Sequence, residues 1–286
     1  MRIAKFLKAQ THDDILDLFE LYKTNFIYNS VGSCDEQFTI ICPNDMRDDE
    51  VMPCFVAHTD IVGIKVPKTL NYCDGVLSNP DGILGADDRA GCYILGEMIN
   101  ADIRGIYIIT SGEEIGGIGA SACSKSYEFA DIIPNISCFI ELDRESNNDC
   151  AIYGLDNENL IGLFEDIGYN AEYGSYTDVV TLAEYTNIAC INLSVGYYNQ
   201  HSKMETLVMS EMKWTLDNML ERLPKEIYDT VFEATDDISL SCNKSGYDGF
   251  EPICCEWCND HSLLYDFDGF QICEECLVEG MFYEKF

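Results

Sequence analysis

Apolar positions recur along this chain with two periods. From Thr11, the spacing of Ile15, Leu18, Phe19 and Tyr22 predicts a helix, with Thr11 or Asp13 placed to cap its start. Residues 37–43 (QFTIICP) and 52–57 (MPCFVA) are short runs of apolar and β-branched side chains and predict strands. Residues 89–99 (RAGCYILGEMI) predict a buried helix, and 105–110 (GIYIIT) and 136–142 (ISCFIEL) two further strands. A helix is predicted over 157–167, a strand over 189–195 (ACINLSV) and a long amphipathic helix over 206–222. Strands that are apolar throughout and alternate with helices predict an α/β fold: a mainly parallel central sheet with helices on both faces. No internal repeat is visible. After about residue 240 the pattern breaks, because SCNKSGYDGFEPICC is rich in Gly, Ser and Asp and poor in core residues. The chain therefore divides into a main domain, 1–240, and a small module, 241–286.

Charge narrows the function. Of 286 residues, 51 are acidic and 17 basic, a formal charge of −34. Such a surface repels phosphate backbones and anionic membranes, so nucleic acid is not an expected partner. No run of about 18 apolar residues is present, so no membrane span is expected. Fifteen cysteines, an odd count at irregular spacing, do not form a disulfide framework. The first residues, MRIAKFLKAQTHDD, lack the apolar run of a signal peptide. These features predict a cytoplasmic protein with reduced thiols.

In open α/β sheets, ligands gather beyond the carboxyl ends of the strands. Four clusters lie where that rule puts chemistry. VAHTD presents His58 and Asp60, TSGEEIGG presents Glu113 and Glu114, IELD presents Asp143, and GYYNQHSKME presents His201. A fifth, LGADDRAG, opens a helix with Asp87 and Asp88. Singly, each has an ordinary explanation: an incidental surface pair, a helix cap, a solvated loop. Together they would gather much negative charge in one crevice, which is unfavourable without cations. A divalent metal removes the conflict. Nitrogen and oxygen donors without thiolate suit catalytic zinc, with manganese or cobalt as alternatives.

HTD, GADDRAG, GEEIGG, ELD and NQHS, in this order over roughly residues 50–205, resemble the co-catalytic zinc peptidases. That group includes the bacterial leucyl aminopeptidases and the peptidase T/glutamate carboxypeptidase family. The resemblance implies two catalytic Zn2+ ions and an exopeptidase activity on a peptide or amide substrate. It implies that His58 and Asp143 bind one metal, that Glu114 and His201 bind the other, and that Asp87 bridges both. It implies that Glu113 is the general base and that Asp60 orients His58; Asp88 is left outside the ligand set. Two ions so placed would polarise the scissile carbonyl and lower the pKa of the bridging water. The peptidase T group usually inserts a lid domain between the ligand aspartate and the last histidine; here the interval from Asp143 to His201 has room for only one or two helices and strands. The main domain is thus expected to lack a lid. Other readings of the same residues are a metal-dependent deacylase of N-acyl amino acids and a non-catalytic binding protein acting through its C-terminal module. In SYTD (Ser175 to Asp178), Asp178 is read as a helix cap, with a contact to a substrate amino group as the alternative.

The module carries CxxC twice, Cys255–Cys258 and Cys273–Cys276. Four thiolates at this spacing suit one structural Zn2+ in a zinc-ribbon-like fold, with Cys254 or His261 able to replace a ligand. Metal binding would supply the folding free energy that so small a core lacks. Trp257, Tyr265, Phe267 and Phe270 are its candidate core. The acidic character of the module argues for stabilisation or contact with a protein partner. Elsewhere, His12 is read as a surface residue at a helix start, and Cys54, Cys92 and Cys190 as core residues.

Overall fold

The computed structural model describes residues 2–63, 65–235, 264–267 and 270–273. Its centre is an eight-stranded sheet of β1 (Phe26–Val31), β2 (Phe38–Pro43), β3 (Met52–His58), β6 (Ile106–Thr110), β7 (Ile136–Arg144), β8 (Asp149–Ile152), β9 (Asn170–Tyr173) and β10 (Cys190–Ser194). The strand order is β1-β2-β6-β3-β7-β10-β8-β9. The four central strands, β6, β3, β7 and β10, are mutually parallel. Antiparallel pairings join β1 to β2, β2 to β6 and β8 to β10. Every residue of β3, β6 and β10 is buried, which is why these segments read as unbroken apolar runs.

The helices are α1 (Ile3–Phe6), α2 (His12–Phe19), α3 (Ala86–Asn100), α4 (Ile118–Ser124), α5 (Tyr127–Ile132), α6 (Glu158–Glu165), α7 (Asp178–Thr186) and α8 (Met209–Glu221). They form two layers. Phe55, Ala57, Tyr107 and Ile109 point into one core with α1, α2, α3, α6 and α8. Their neighbours Cys54, Val56, Ile106 and Ile108 point into the other, with α4, α5 and α7. Successive strand residues thus serve opposite faces. Cys54, Cys92 and Cys190 are fully buried, as expected.

Local chemistry explains where α2 starts and stops. Thr11 Oγ1 accepts the Asp14 N–H (3.1 Å) while Asp14 Oδ2 accepts the Thr11 N–H (3.0 Å), a reciprocal cap. Glu20 turns left-handed (φ 51°) and ends the helix, so Tyr22 falls outside it and is 81% exposed. His12 corrects the sequence reading. It is buried, with Nε2 2.8 Å from Thr39 Oγ1 and Nδ1 3.0 Å from Thr59 Oγ1. Its neighbours are hydroxyls, which accept a neutral imidazole. Burial lowers its pKa from 6.5 to about 4. The neutral ring's contribution is therefore complete above pH 6.5 and is lost as pH falls toward 4. The loss is about 3 kcal/mol at full protonation. Denaturant titrations across this range should show a shallower acid dependence for His12→Gln than for the parent; parallel curves would exclude this role.

A second, four-stranded antiparallel sheet lies beside the first: β11 (Tyr197–Tyr198), β12 (Thr206–Val208), β5 (Val76–Ser78) and β4 (Asn71–Cys73), in that order. Residues 206–208, expected to start the last helix, form β12 instead, and α8 begins at Met209. The loop from β11 to β12 carries His201. Chain contacts separate two units, Met1–Asp236 and Asp237–Phe286. In the second, β13 (Leu264–Phe267) and β14 (Phe270–Cys273) form an antiparallel hairpin. The expected four-cysteine zinc site lies outside the described residues, apart from the backbone of Cys273. Among the described residues no helix is long and apolar enough to cross a membrane.

Candidate metal centre

Register brings the centre together. His58 at the end of β3 pairs with Thr110 at the end of β6. Val56 pairs with Glu141, so Asp143, two residues further along β7, comes level with His58. After β6, Gly112 turns the chain at φ 83°, and a Cβ there would lie 2.5 Å from the Asp35 carbonyl oxygen. That turn places Glu113 and Glu114 in one turn of 3-10 helix above the strand ends. On the other face, a Cβ on Gly91 would lie 2.0 Å from the Leu142 carbonyl oxygen. The glycine lets α3 approach β7 closely enough to bring Asp87 beside His58. His201 enters from the β11–β12 loop, with a left-handed backbone (φ 59°).

The result is two donor sets sharing one carboxylate. His58 Nε2 lies 3.1 Å from Asp87 Oδ1 and 3.6 Å from Asp143 Oδ1. His201 Nε2 lies 3.0 Å from Asp87 Oδ2 and 2.8 Å from Glu114 Oε2. Each set offers three donor atoms within 4.8 Å of one another. Zinc bonds of about 2.0–2.1 Å put tetrahedral donors roughly 3.3 Å apart, so both sets are close to the size of a metal shell. Glu114 Oε1 is buried without a hydrogen-bond partner, leaving a free lone pair at the second set. Each set therefore has donors of the type and spacing that suit a divalent ion, and Asp87 belongs to both.

Around the donors, other groups fix positions. Asp60 Oδ1 and Oδ2 accept the N–H groups of Glu113 and Glu114, both at 3.2 Å. Its Oδ1 is also 3.3 Å from His58 Nδ1. Asp60 thereby ties the Glu-Glu turn to the histidine. Asp88 does not join the donors. Its Oδ1 caps α3 through the Gly91 N–H (2.9 Å), and its Oδ2 accepts the His58 N–H (3.2 Å). Asp143 is held by the Tyr197 hydroxyl, which donates to its carbonyl and to Oδ1, both at 3.1 Å. Asn192 brackets the Asp143 backbone from both sides.

The electrostatics are those of buried carboxylates crowded around two histidines. Burial works against a charged His58, yet Asp143, Asp60 and Asp87 overcome this and raise its pKa. Hydrogen bonds to Asp87 and Glu114 raise His201 to about 10. Burial resists the ionisation of Asp87, but the two histidines win and its pKa falls. Burial lifts Glu113 to about 7, with Asp143, Glu114 and Asp87 adding to the rise and His58 opposing it. Asp143 also rises to about 7, first through burial and then through Asp87.

Three acidic residues near the centre went unread or misread in the sequence. Glu205 is 1% exposed, and its carboxylate accepts the N–H groups of Leu84, Gly85, Ala86 and Asp87 at 2.7–3.2 Å. Glu141 is buried and accepts the Thr177 hydroxyl at 2.6 Å. Asp178 is not a cap: it is the first residue of α7, fully buried, and accepts a hydrogen bond from Thr110. Its place in sequence looked like a helix boundary, and only the fold shows that it faces β6.

No protein-family model and no curated protein matches the chain. Solved structures do. A tripeptidase from Staphylococcus aureus superposes with TM-score 0.62 at 13% identity, over 78% of this chain and 96% of its own. The aminopeptidase PepT from Bacillus cereus gives 0.58 at 14% identity, over 76% and 95%. The Pyrococcus horikoshii TET1 peptidase gives 0.53 at 12% identity, over 78% and 98%. The chain has the fold of these peptidases. At such identities the likeness extends to the architecture, and the chemistry must be argued from the donor sets.

Proposed function

We propose that this chain is a two-metal exopeptidase, an aminopeptidase or a di- or tripeptidase. The observation that carries the proposal is Asp87, whose two oxygens face two separate donor sets. A bridging carboxylate is what a paired-ion centre requires, and the peptidase fold of the similar structures supports the reaction class. His58, Asp87 and Asp143 would hold one ion, and Asp87, Glu114 and His201 the other. When bound, zinc (or manganese or cobalt) would polarise the scissile carbonyl and acidify the attacking water.

The remaining steps belong to the chain. Glu113 is in neither donor set, with Oε2 4.0 Å from His58 Nε2. Its carboxylate takes the proton from water and returns it to the leaving amine. Burial and the neighbouring carboxylates raise its pKa, and bound cations would lower it again toward the ionised base. Asp60 sets the direction of Glu113 by holding its backbone N–H. For the second unit, we propose one structural zinc held by Cys255, Cys258, Cys273 and Cys276, a spacing supported by the sequence alone.

Metal content, hydrolysis of aminoacyl amides and short peptides, and thermal unfolding test these readings together. About three zinc ions per chain are expected, two of them removable by mild chelation with loss of hydrolysis. Returning divalent ions at a thousandfold excess over Kd should restore about 4 kcal/mol of stability for each site filled. N-acyl amino acids in the same panel test the deacylase reading. One firmly held zinc, with no hydrolysis on adding zinc, manganese or cobalt, would refute the catalytic assignment.

A further inference from the structure

The His201 side of the centre opens onto a cavity of about 750 Å3. That volume suits an amino acid or short peptide. Val62, Val66 and Ile83 supply apolar lining, and His201 belongs to both the cavity and the second donor set. The charged side chains are Lys65, Lys68, Lys203 and Asp81. Over the whole chain, acids outnumber bases 51 to 17. Around this cavity the ratio inverts, with three lysines to one aspartate. All three lysines are exposed, and none forms an ion pair among the described residues.

A chain carrying −34 repels anions at long range. Three exposed ammonium groups line this one opening, beside a centre whose own carboxylates, Asp87 and Glu114, lie against His201. We propose that this cavity receives the free carboxylate of the substrate. The substrates are then short peptides, or acylated amino acids, whose carboxylate lies within one or two residues of the bond cut. This inference rests on the reading of the centre as a hydrolase of amide bonds. It explains how a domain without a lid can select short substrates: the recognising charges come from the loop after β3 and from the loop that carries His201.

The test compares a tripeptide with its C-terminal amide. Binding is measured by calorimetry on the full, metal-loaded chain carrying Glu113→Gln, so that nothing is turned over. The free acid should bind about tenfold more tightly, equivalent to roughly 1.4 kcal/mol. The gap should shrink below threefold when Lys65, Lys68 and Lys203 are all changed to Gln, and it should narrow with added salt, because exposed charges are screened. Equal binding of acid and amide, no binding of either, or a gap that survives the triple change overturns the proposal. The parent chain separates this from the catalytic reading. Hydrolysis without preference for the acid removes the carboxylate site and leaves the peptidase. Acid-selective binding with no hydrolysis does the reverse.

Discussion

Glu113→Gln should abolish most hydrolysis while leaving metal content unchanged. The expected fall in kcat is about 10²- to 10⁴-fold, the usual contribution of a positioned acid–base group. That corresponds to roughly 3–5 kcal/mol of barrier. Glu113 and Glu114 are adjacent, and adjacent side chains diverge. Glu114 Oε2 meets His201 Nε2 at 2.8 Å, whereas Glu113 stays 4.0 Å from the nearest imidazole nitrogen. Only Glu114 is a donor, so Glu114→Gln should lose an ion and Glu113→Gln should not. The pH profile adds a second readout. A base must be ionised to act, so kcat/KM rises with pH through its pKa. Burial holds Glu113 near 7, and cations beside it would favour the carboxylate, so the acid limb should fall at or below 7. Full activity at unchanged metal content in Glu113→Gln would remove this residue from the mechanism.

The centre was legible in the sequence because parallel strands are buried on both faces. That makes β3, β6, β7 and β10 unbroken apolar runs, and the residues at the carboxyl end of each run share one edge of the sheet. His58, Glu113, Glu114 and Asp143 could be placed by that rule. The periphery offered no such signal. In β1, Ile27 and Tyr28 are 60% and 57% exposed, so its apolar residues carry no core pattern. The β4, β5, β11 and β12 strands are two or three residues long, too short for a period to register. His12 was misread because its partners, Thr39 and Thr59, come from other elements. Lys203 is far in sequence from Lys65 and Lys68, and nothing in their local context announces a shared cavity.

Glu205→Ala should destabilise the metal-free chain by about 3–5 kcal/mol, the range for removing one partner of a buried, charge-bearing contact. Glu205 lies in SKMET just after His201, where a glutamate in a loop reads as solvated. In the fold it is buried, and its two oxygens collect the Leu84, Gly85, Ala86 and Asp87 N–H groups. These donors lie at and just before the start of α3, where no helical carbonyl is placed to accept them. Burial raises the pKa of Glu205, but the N–H groups of Gly85, Asp87 and Ala86 favour the ion. Alanine would leave all four donors buried and unpaired. The direction of the effect is diagnostic. Removing one negative charge from a chain of −34 should, on general electrostatic grounds, relieve repulsion and stabilise it. A large loss therefore points to the local clamp, and the smaller loss in Glu205→Gln separates it from the cavity that alanine leaves. The clamp ends on the Asp87 backbone, so the bridging carboxylate should also lose its set position. Metal affinity should fall about 10- to 100-fold, as for other groups that orient a ligand. Glu205→Gln, which keeps the shape and one acceptor oxygen, should fall between the parent and Ala in both measurements. Urea unfolding of the chelated protein reads the first effect, and metal titration reads the second. Stability within about 0.5 kcal/mol of the parent, the range of an ordinary surface change, would show that the loop holds Asp87 without Glu205.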